Sequence, residues 1–175
     1  MDRKTATYDP TRRRIRVLAP ATIANLSCGF DVMGLALEGV GDTIRVERTE
    51  KPGVRIRKIR GMDLPLEADK NVAGVAVMAL LESLENPCGI EMEIDKGIAP
   101  GSGIGSSAAS SAGAVWAVNQ LLGSPFSLTE LTRFAMRGEA LASGAEHADN
   151  VAPALFGGIT LVRTTEPLDI ARIHC

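Results

Sequence analysis

The run Ala99-Pro100-Gly101-Ser102-Gly103-Ile104-Gly105-Ser106-Ser107-Ala108-Ala109 carries residue types suited to holding an anion against the backbone. Gly101, Gly103 and Gly105 permit positive φ and let phosphate oxygens come close to backbone N–H groups. Ser106 and Ser107 can cap a following helix, donate hydroxyls, or ligate a phosphate-bound cation. A helix start is the right place for this, because free N–H groups and the positive end of the macrodipole both face an incoming phosphate. Two better-known glycine loops do not fit: a P-loop requires a Gly-Lys-Ser/Thr sequence and this run has no lysine, while a dinucleotide fingerprint needs a third glycine where Ser106 stands. Taken alone, the run also reads as a flexible connector before a capped helix.

The surrounding elements must place this loop between a strand and a helix. Ile90 to Ile94 alternates apolar and acidic residues as a strand does, and Ser106 to Leu122 is rich in small residues and stops at Gly123. A second helix is predicted over Leu128–Ala142, with Ser127 and Glu130 spaced as a capping box. Upstream, Val72, Val75, Ala76, Ala79, Leu80 and Leu84 share one helical face. Apolar alternation at Ile15 and Val17, Ile44 and Val46, and Val54, Ile56 and Ile59 predicts an antiparallel sheet, with Gly41-Asp42 and Pro52-Gly53 as turns. Ile159 to Val162 predicts another short strand, and no element is visible after it. Residues 1–13 read as a loose, polar N-terminal extension, residues 14–165 as one domain, and residues 166–175 as the start of a further part.

Composition narrows the function. The 175 residues include 45% hydrophobic and 23% charged residues, enough for one real core, and the 3% aromatic content makes that core aliphatic. A net charge of −2 gives no overall pull toward nucleic acid. Arg12-Arg13-Arg14-Arg16 and Lys51, Arg55, Arg57, Lys58 and Arg60 suggest a rival, a non-catalytic RNA-binding module. Their alternation along strands is explained by a solvated sheet face, and scarce aromatics remove stacking platforms. The longest apolar run, Val72 to Leu81, is far short of a membrane span, so no membrane partner is expected. Cys28, Cys88 and Cys175 are odd in number and widely spaced, and the first residues are charged, which points to a cytoplasmic protein. No base beside Cys28 is visible to activate it.

The run Pro100-Gly-Ser-Gly-Ile-Gly-Ser-Ser-Ala-Ala-Ser110 resembles the second motif of the GHMP small-molecule kinases, with proline one position later than the family commonly has it. Pro20-Ala-Thr-Ile-Ala-Asn-Leu-Ser-Cys-Gly-Phe-Asp-Val-Met-Gly34 resembles the first motif in its homoserine kinase form. Gly138-Glu139 followed by Ser143-Gly-Ala-Glu-His-Ala-Asp-Asn-Val-Ala-Pro-Ala-Leu-Phe-Gly-Gly158 resembles the homoserine kinase segment after the loop helix. Mevalonate-type members carry a catalytic aspartate where this chain has Asn150.

The resemblance implies an α+β fold similar to domain 2 of ribosomal protein S5, the N-terminal domain of the family, with a ferredoxin-like C-terminal half missing from these residues. It implies phosphoryl transfer from ATP to the side-chain hydroxyl of L-homoserine, a step of threonine biosynthesis, with ATP and Mg²⁺ as cofactors. A sibling kinase acting on another alcohol is the nearer alternative, and the oligomeric state is left open, a homodimer included. By motif position, Ala99 to Ala109 would hold the nucleotide phosphates, Ser107 and Glu139 the Mg²⁺, and Asn25, Asp31, His147 and Asn150 the homoserine. Asn150 would be the residue at the reacting centre. Each has a plain structural reading when taken singly: turn formation for Asn25 and Asp31, a satisfied loop histidine for His147, and a solvated helix charge for Glu139.

Overall fold

The structure is a computed structural model and describes residues 3–9 and 11–174. Strand β1 (Arg14–Leu26) and strand β2 (Gly29–Thr49) form a long antiparallel hairpin, paired from Arg14 opposite Glu47 to Leu26 opposite Gly29 with register shifts between Pro20 and Thr22 and between Ala24 and Leu26. The other edge of β2 is shared. Its second half pairs with β4 (Gly89–Asp95), and Met33 to Leu35 pair with β5 (Ile159–Thr165). Beyond these lie β3 (Val54–Arg60), paired with β4, and β6 (Leu168–Ile173), paired with β5, giving the order β3-β4-β2-β5-β6 with β1 alongside β2.

Three strand expectations are corrected. Gly41-Asp42 lies inside β2 instead of turning between strands, because Asp42 is needed as a buried acceptor and Gly41 packs against the Ala19 carbonyl. Strand β3 runs parallel to β4, since a 3₁₀ turn (Ala68–Lys70) and helix α1 (Val72–Glu82) carry the chain back across the sheet. Strand β6 also exists, where the sequence shows no clear alternation.

One face of the sheet is covered by α1, α2 (Ser106–Leu121) and α3 (Leu128–Ser143). Helix α2 is buried on nearly every side, and its small residues make that possible: a side chain at Gly113 would meet Ala19 and Ile44 of the sheet. Gly138 of α3 likewise fits only as glycine, with Ser111 Oγ 2.7 Å from where a Cβ would stand. The apolar core is filled by Ile44, Val46, Ile90, Met92 and Ile94 from the sheet and Leu80, Leu121 and Leu131 from the helices. The capping box at Ser127 and Glu130 is formed.

The opposite sheet face carries a ladder of ion pairs, among them Arg14–Glu47 at 3.0 Å, Arg55–Glu91 at 2.8 Å and Arg60–Asp95 at 2.7 Å. These arginines are therefore neutralised in place. Lys4 to Thr7, before β1, are also anchored, contrary to the expectation of a loose extension. Lys4 N–H donates to the Ser83 carbonyl at 2.9 Å, Lys4 Nζ reaches Glu130 at 2.7 Å, and Ala6 is 5% exposed. Among the described residues no helix is long and apolar enough to cross a membrane.

Candidate active site

The glycine run links β4 to α2. Gly101, Gly103 and Gly105 have φ of 76°, 78° and 67°, the left-handed conformation that glycine adopts without strain. Gly105 is the N-cap of α2 and, having no side chain, caps nothing. The serines do not cap the helix either. Ser106 Oγ turns inward to the Ile98 carbonyl at 2.8 Å, and Ser107 Oγ donates to Glu139 Oε1 at 3.0 Å. The first N–H groups of a helix of 16 residues are thus left for a ligand. Ala99 to Gly103 are exposed, Ile104, Gly105 and Ser107 are half-buried, and Ala108 and Ala109 are fully buried, with the Ala109 N–H donating to the Gly105 carbonyl at 2.8 Å.

A buried ion pair fixes the loop from beneath. Lys96 and Asp42 are in direct contact, with side chains 2% and 0% exposed. Lys96 Nζ also donates to the Ser106 carbonyl at 3.0 Å and to Ser110 Oγ at 2.9 Å. Asp42 accepts from Gly97 N–H at 3.0 Å, Ile98 N–H at 3.1 Å and Ser110 Oγ at 2.8 Å. Burial lowers the Lys96 pKa, and the Asp42 carboxylate opposes that shift. The lysine nearest the loop therefore holds the helix start and is not aimed at a phosphate.

An open cleft of about 340 Å³ adjoins the loop, lined by Gly101, Gly105, Ser107, Glu139, Ser143 and Asn150 among others. Glu139 on α3 accepts from Ser107, while its Oε2 is buried without a partner. Burial raises its pKa; the Ser107 hydrogen bond and His147 oppose the rise, and Asp149 adds to it. Asn150 sits at the start of the short helix α4 (Val151–Phe156), an element invisible in the sequence, and accepts from Thr22 Oγ1 at 2.8 Å. Asp149 is 4% exposed and accepts from Asn150 N–H at 3.0 Å. Burial raises the Asp149 pKa, opposed by that hydrogen bond and by His147, with exposed Asp31 adding to the rise.

Asn25 and Asp31 meet at the tip of the β1–β2 hairpin, each at φ 60°, where Asp31 N–H donates to Asn25 Oδ1 at 2.8 Å. His147 lies on the exposed loop between α3 and α4, near enough to Glu139 and Asp149 for its charge to act on both. Gly34 of β2 packs directly on the Asp149 carbonyl and Pro153, joining the hairpin to this segment. Thr22, Asp42, Lys96 and Asp149 escaped the sequence reading. Asp149, as the acidic neighbour of Asn150, and Thr22, inside the Pro20–Gly34 motif, had a signal there.

A model of the GHMP kinases N terminal domain matches residues 71–158, half of the chain. The chain belongs to the GHMP kinase family. Among similar GHMP proteins, a homoserine kinase of Xanthomonas campestris is 49% identical over 161 residues, covering 91% of this chain and 50% of that protein. A homoserine kinase of Methanococcus maripaludis is 43% identical over 92% of this chain and 54% of its own length. The crystal structure of a homoserine kinase from Cytophaga hutchinsonii superposes with a TM-score of 0.88 at 47% identity, covering 95% of this chain and 54% of that one. The Methanococcus jannaschii mevalonate kinase shares the fold, with a TM-score of 0.70 at 16% identity. The chain spans about half the length of the curated relatives it matches.

Proposed function

We propose that the intact protein is a homoserine kinase that transfers the γ-phosphoryl group of ATP to the side-chain hydroxyl of L-homoserine, as a step of threonine biosynthesis. The observation that carries this reading is the convergence, on one cleft, of an uncapped helix start, the Ser107–Glu139 pair and Asn150. The names of the similar proteins support homoserine over other alcohols.

The backbone from Gly101 to Ser107 would hold the phosphates, and the adjoining crevice lined by Leu64, Val72, Pro100 and Ala142 offers apolar walls suited to a purine. Ser107 Oγ and Glu139 would hold Mg²⁺. A hydroxyl and a carboxylate are hard oxygen donors, and the unpartnered Glu139 Oε2 is the kind of buried acceptor that a cation satisfies. Among the described residues no three His, Cys, Asp or Glu side chains gather as a metal site. Two protein donors agree with a cation carried largely by nucleotide phosphates. When bound, Mg²⁺ supplies charge neutralisation on the transferring phosphate.

Asp31 is suited to the substrate ammonium, and Asn25 and His147 to its remaining polar groups. The hydroxyl oxygen forms the new bond to phosphorus, the bond from phosphorus to the ADP oxygen breaks, and the hydroxyl proton passes to a phosphoryl oxygen. An amide does not accept a proton near neutral pH, so Asn150 orients the hydroxyl without serving as base. A loose transition state makes little demand for one. Full-length protein with ATP, Mg²⁺ and, in turn, homoserine, mevalonate, galactose and threonine tests this. Turnover with homoserine alone is expected; turnover with another alcohol and none with homoserine overturns it.

A further inference from the structure

We propose that Thr22 is a positioning residue for Asn150: its buried hydroxyl anchors the side-chain amide where it lines the cleft. This rests on the reading of Asn150 above. Three segments far apart in sequence meet at Thr22. Its backbone N–H donates to the Ile104 carbonyl of the glycine loop at 3.1 Å, and its Oγ1 donates to Asn150 Oδ1 at 2.8 Å. Thr22 is fully buried, so no water competes for that bond. The site for a Cβ on Gly105 is occupied by Thr22 Oγ1 and lies 3.1 Å from Asn150 Oδ1, so the glycine leaves room for this contact.

Asn150 stands at the N-cap position of α4, yet its side chain makes no capping bond. With Oδ1 held by Thr22, the amide NH₂ has no acceptor among the described residues, and Asn150 lines the cleft beside Gly105 and Ser107. A side-chain amide is an acceptor at one end and a double donor at the other. The Thr22 bond holds one end in place, so that the other end is the one that reaches the substrates. Donors directed into the cleft attract a hydroxyl or phosphoryl oxygen. Without the Thr22 hydroxyl, Oδ1 loses its protein partner and the amide is no longer held in this position.

The test is a cycle in the full-length enzyme comprising Thr22→Val, Thr22→Ser, Asn150→Ala and Thr22→Val/Asn150→Ala. Thr22→Val keeps the shape of the side chain and is expected to lower kcat by about 10- to 100-fold with KM for ATP nearly unchanged. Thr22→Ser, which keeps the hydroxyl, is expected to retain most of kcat. In the Asn150→Ala background the Thr22→Val loss is expected to vanish, because the group it positions is gone. Should Thr22→Val not fold by thermal melting, Thr22→Ala takes its place in the same cycle. Equal losses in both backgrounds, or a Thr22→Val enzyme with unchanged kcat, overturn the positioning role while leaving the proposed reaction intact. An Asn150→Ala enzyme with unchanged kcat overturns both.

Discussion

At the scale of single residues, the site separates groups that touch substrates from groups that hold them. Asn150→Ala in the full-length enzyme is expected to lower kcat by about 10²- to 10⁴-fold, the range for misplacing a reactant or losing one preorganised donor. Nucleotide titration should show ATP affinity nearly unchanged. Asn150→Asp should not accelerate the reaction, and a faster enzyme with a new acidic limb in its pH profile would establish base catalysis at this position. Asp149 supplies a pH test of stability. Burial raises its folded pKa above the ordinary 3.8, so its favourable contribution is complete below that value and is lost as pH rises through the folded one. Asp149→Asn keeps an acceptor for the Asn150 N–H and does not titrate. Its melting temperature should therefore gain on the native protein as pH rises from about 3 to 8, and a gap that is flat across this range would contradict the assignment.

The element scale is set by the glycine loop and the start of α2. Gly101 and Gly105 both have positive φ, but a Cβ at Gly101 meets nothing within 4 Å, whereas one at Gly105 runs into Thr22 and Asn150. Gly101→Ala is then expected to cost about 1 kcal/mol from backbone conformation alone, and Gly105→Ala appreciably more, with loss of turnover. Similar losses in chemical denaturation for the two variants would show that packing at Gly105 is unimportant. Beneath the loop, removal of one member of the Lys96–Asp42 pair strands the other as a buried charge. Asp42→Ala should destabilise by about 3–5 kcal/mol, read as a fall in denaturation midpoint. The capping box, α1, α2 and α3 were legible because period, caps and stops are local properties. The inward turn of Ser106, the Lys96–Asp42 pair and the direction of β3 were not, because each is decided by a partner distant along the chain.

For the molecule as a whole, Lys4 to Thr7 before β1 are part of the fold. Deleting residues 1–9 removes the Lys4 bonds to Ser83, Pro125 and Glu130 and uncovers the surface under Ala6. A lower melting temperature, equivalent to about 1–3 kcal/mol, is expected, and an unchanged one would return this segment to the status of a loose extension. The amino-acid sequence alone determined the strand, loop and helix around Gly101 to Ser107, the small-residue character of α2 and the membership of the GHMP kinase family. These follow from residue type and short-range spacing, which act within a few residues and persist in any fold the chain adopts. The tertiary structure decided that Gly41-Asp42 continues a strand, that Lys96 lies under the helix start, that Glu139 reaches Ser107, and that Thr22 holds the oxygen of Asn150. Burial and hydrogen-bond pairing between segments as much as 128 residues apart are collective outcomes of packing. They exist only once the sheet and helices have closed around one another.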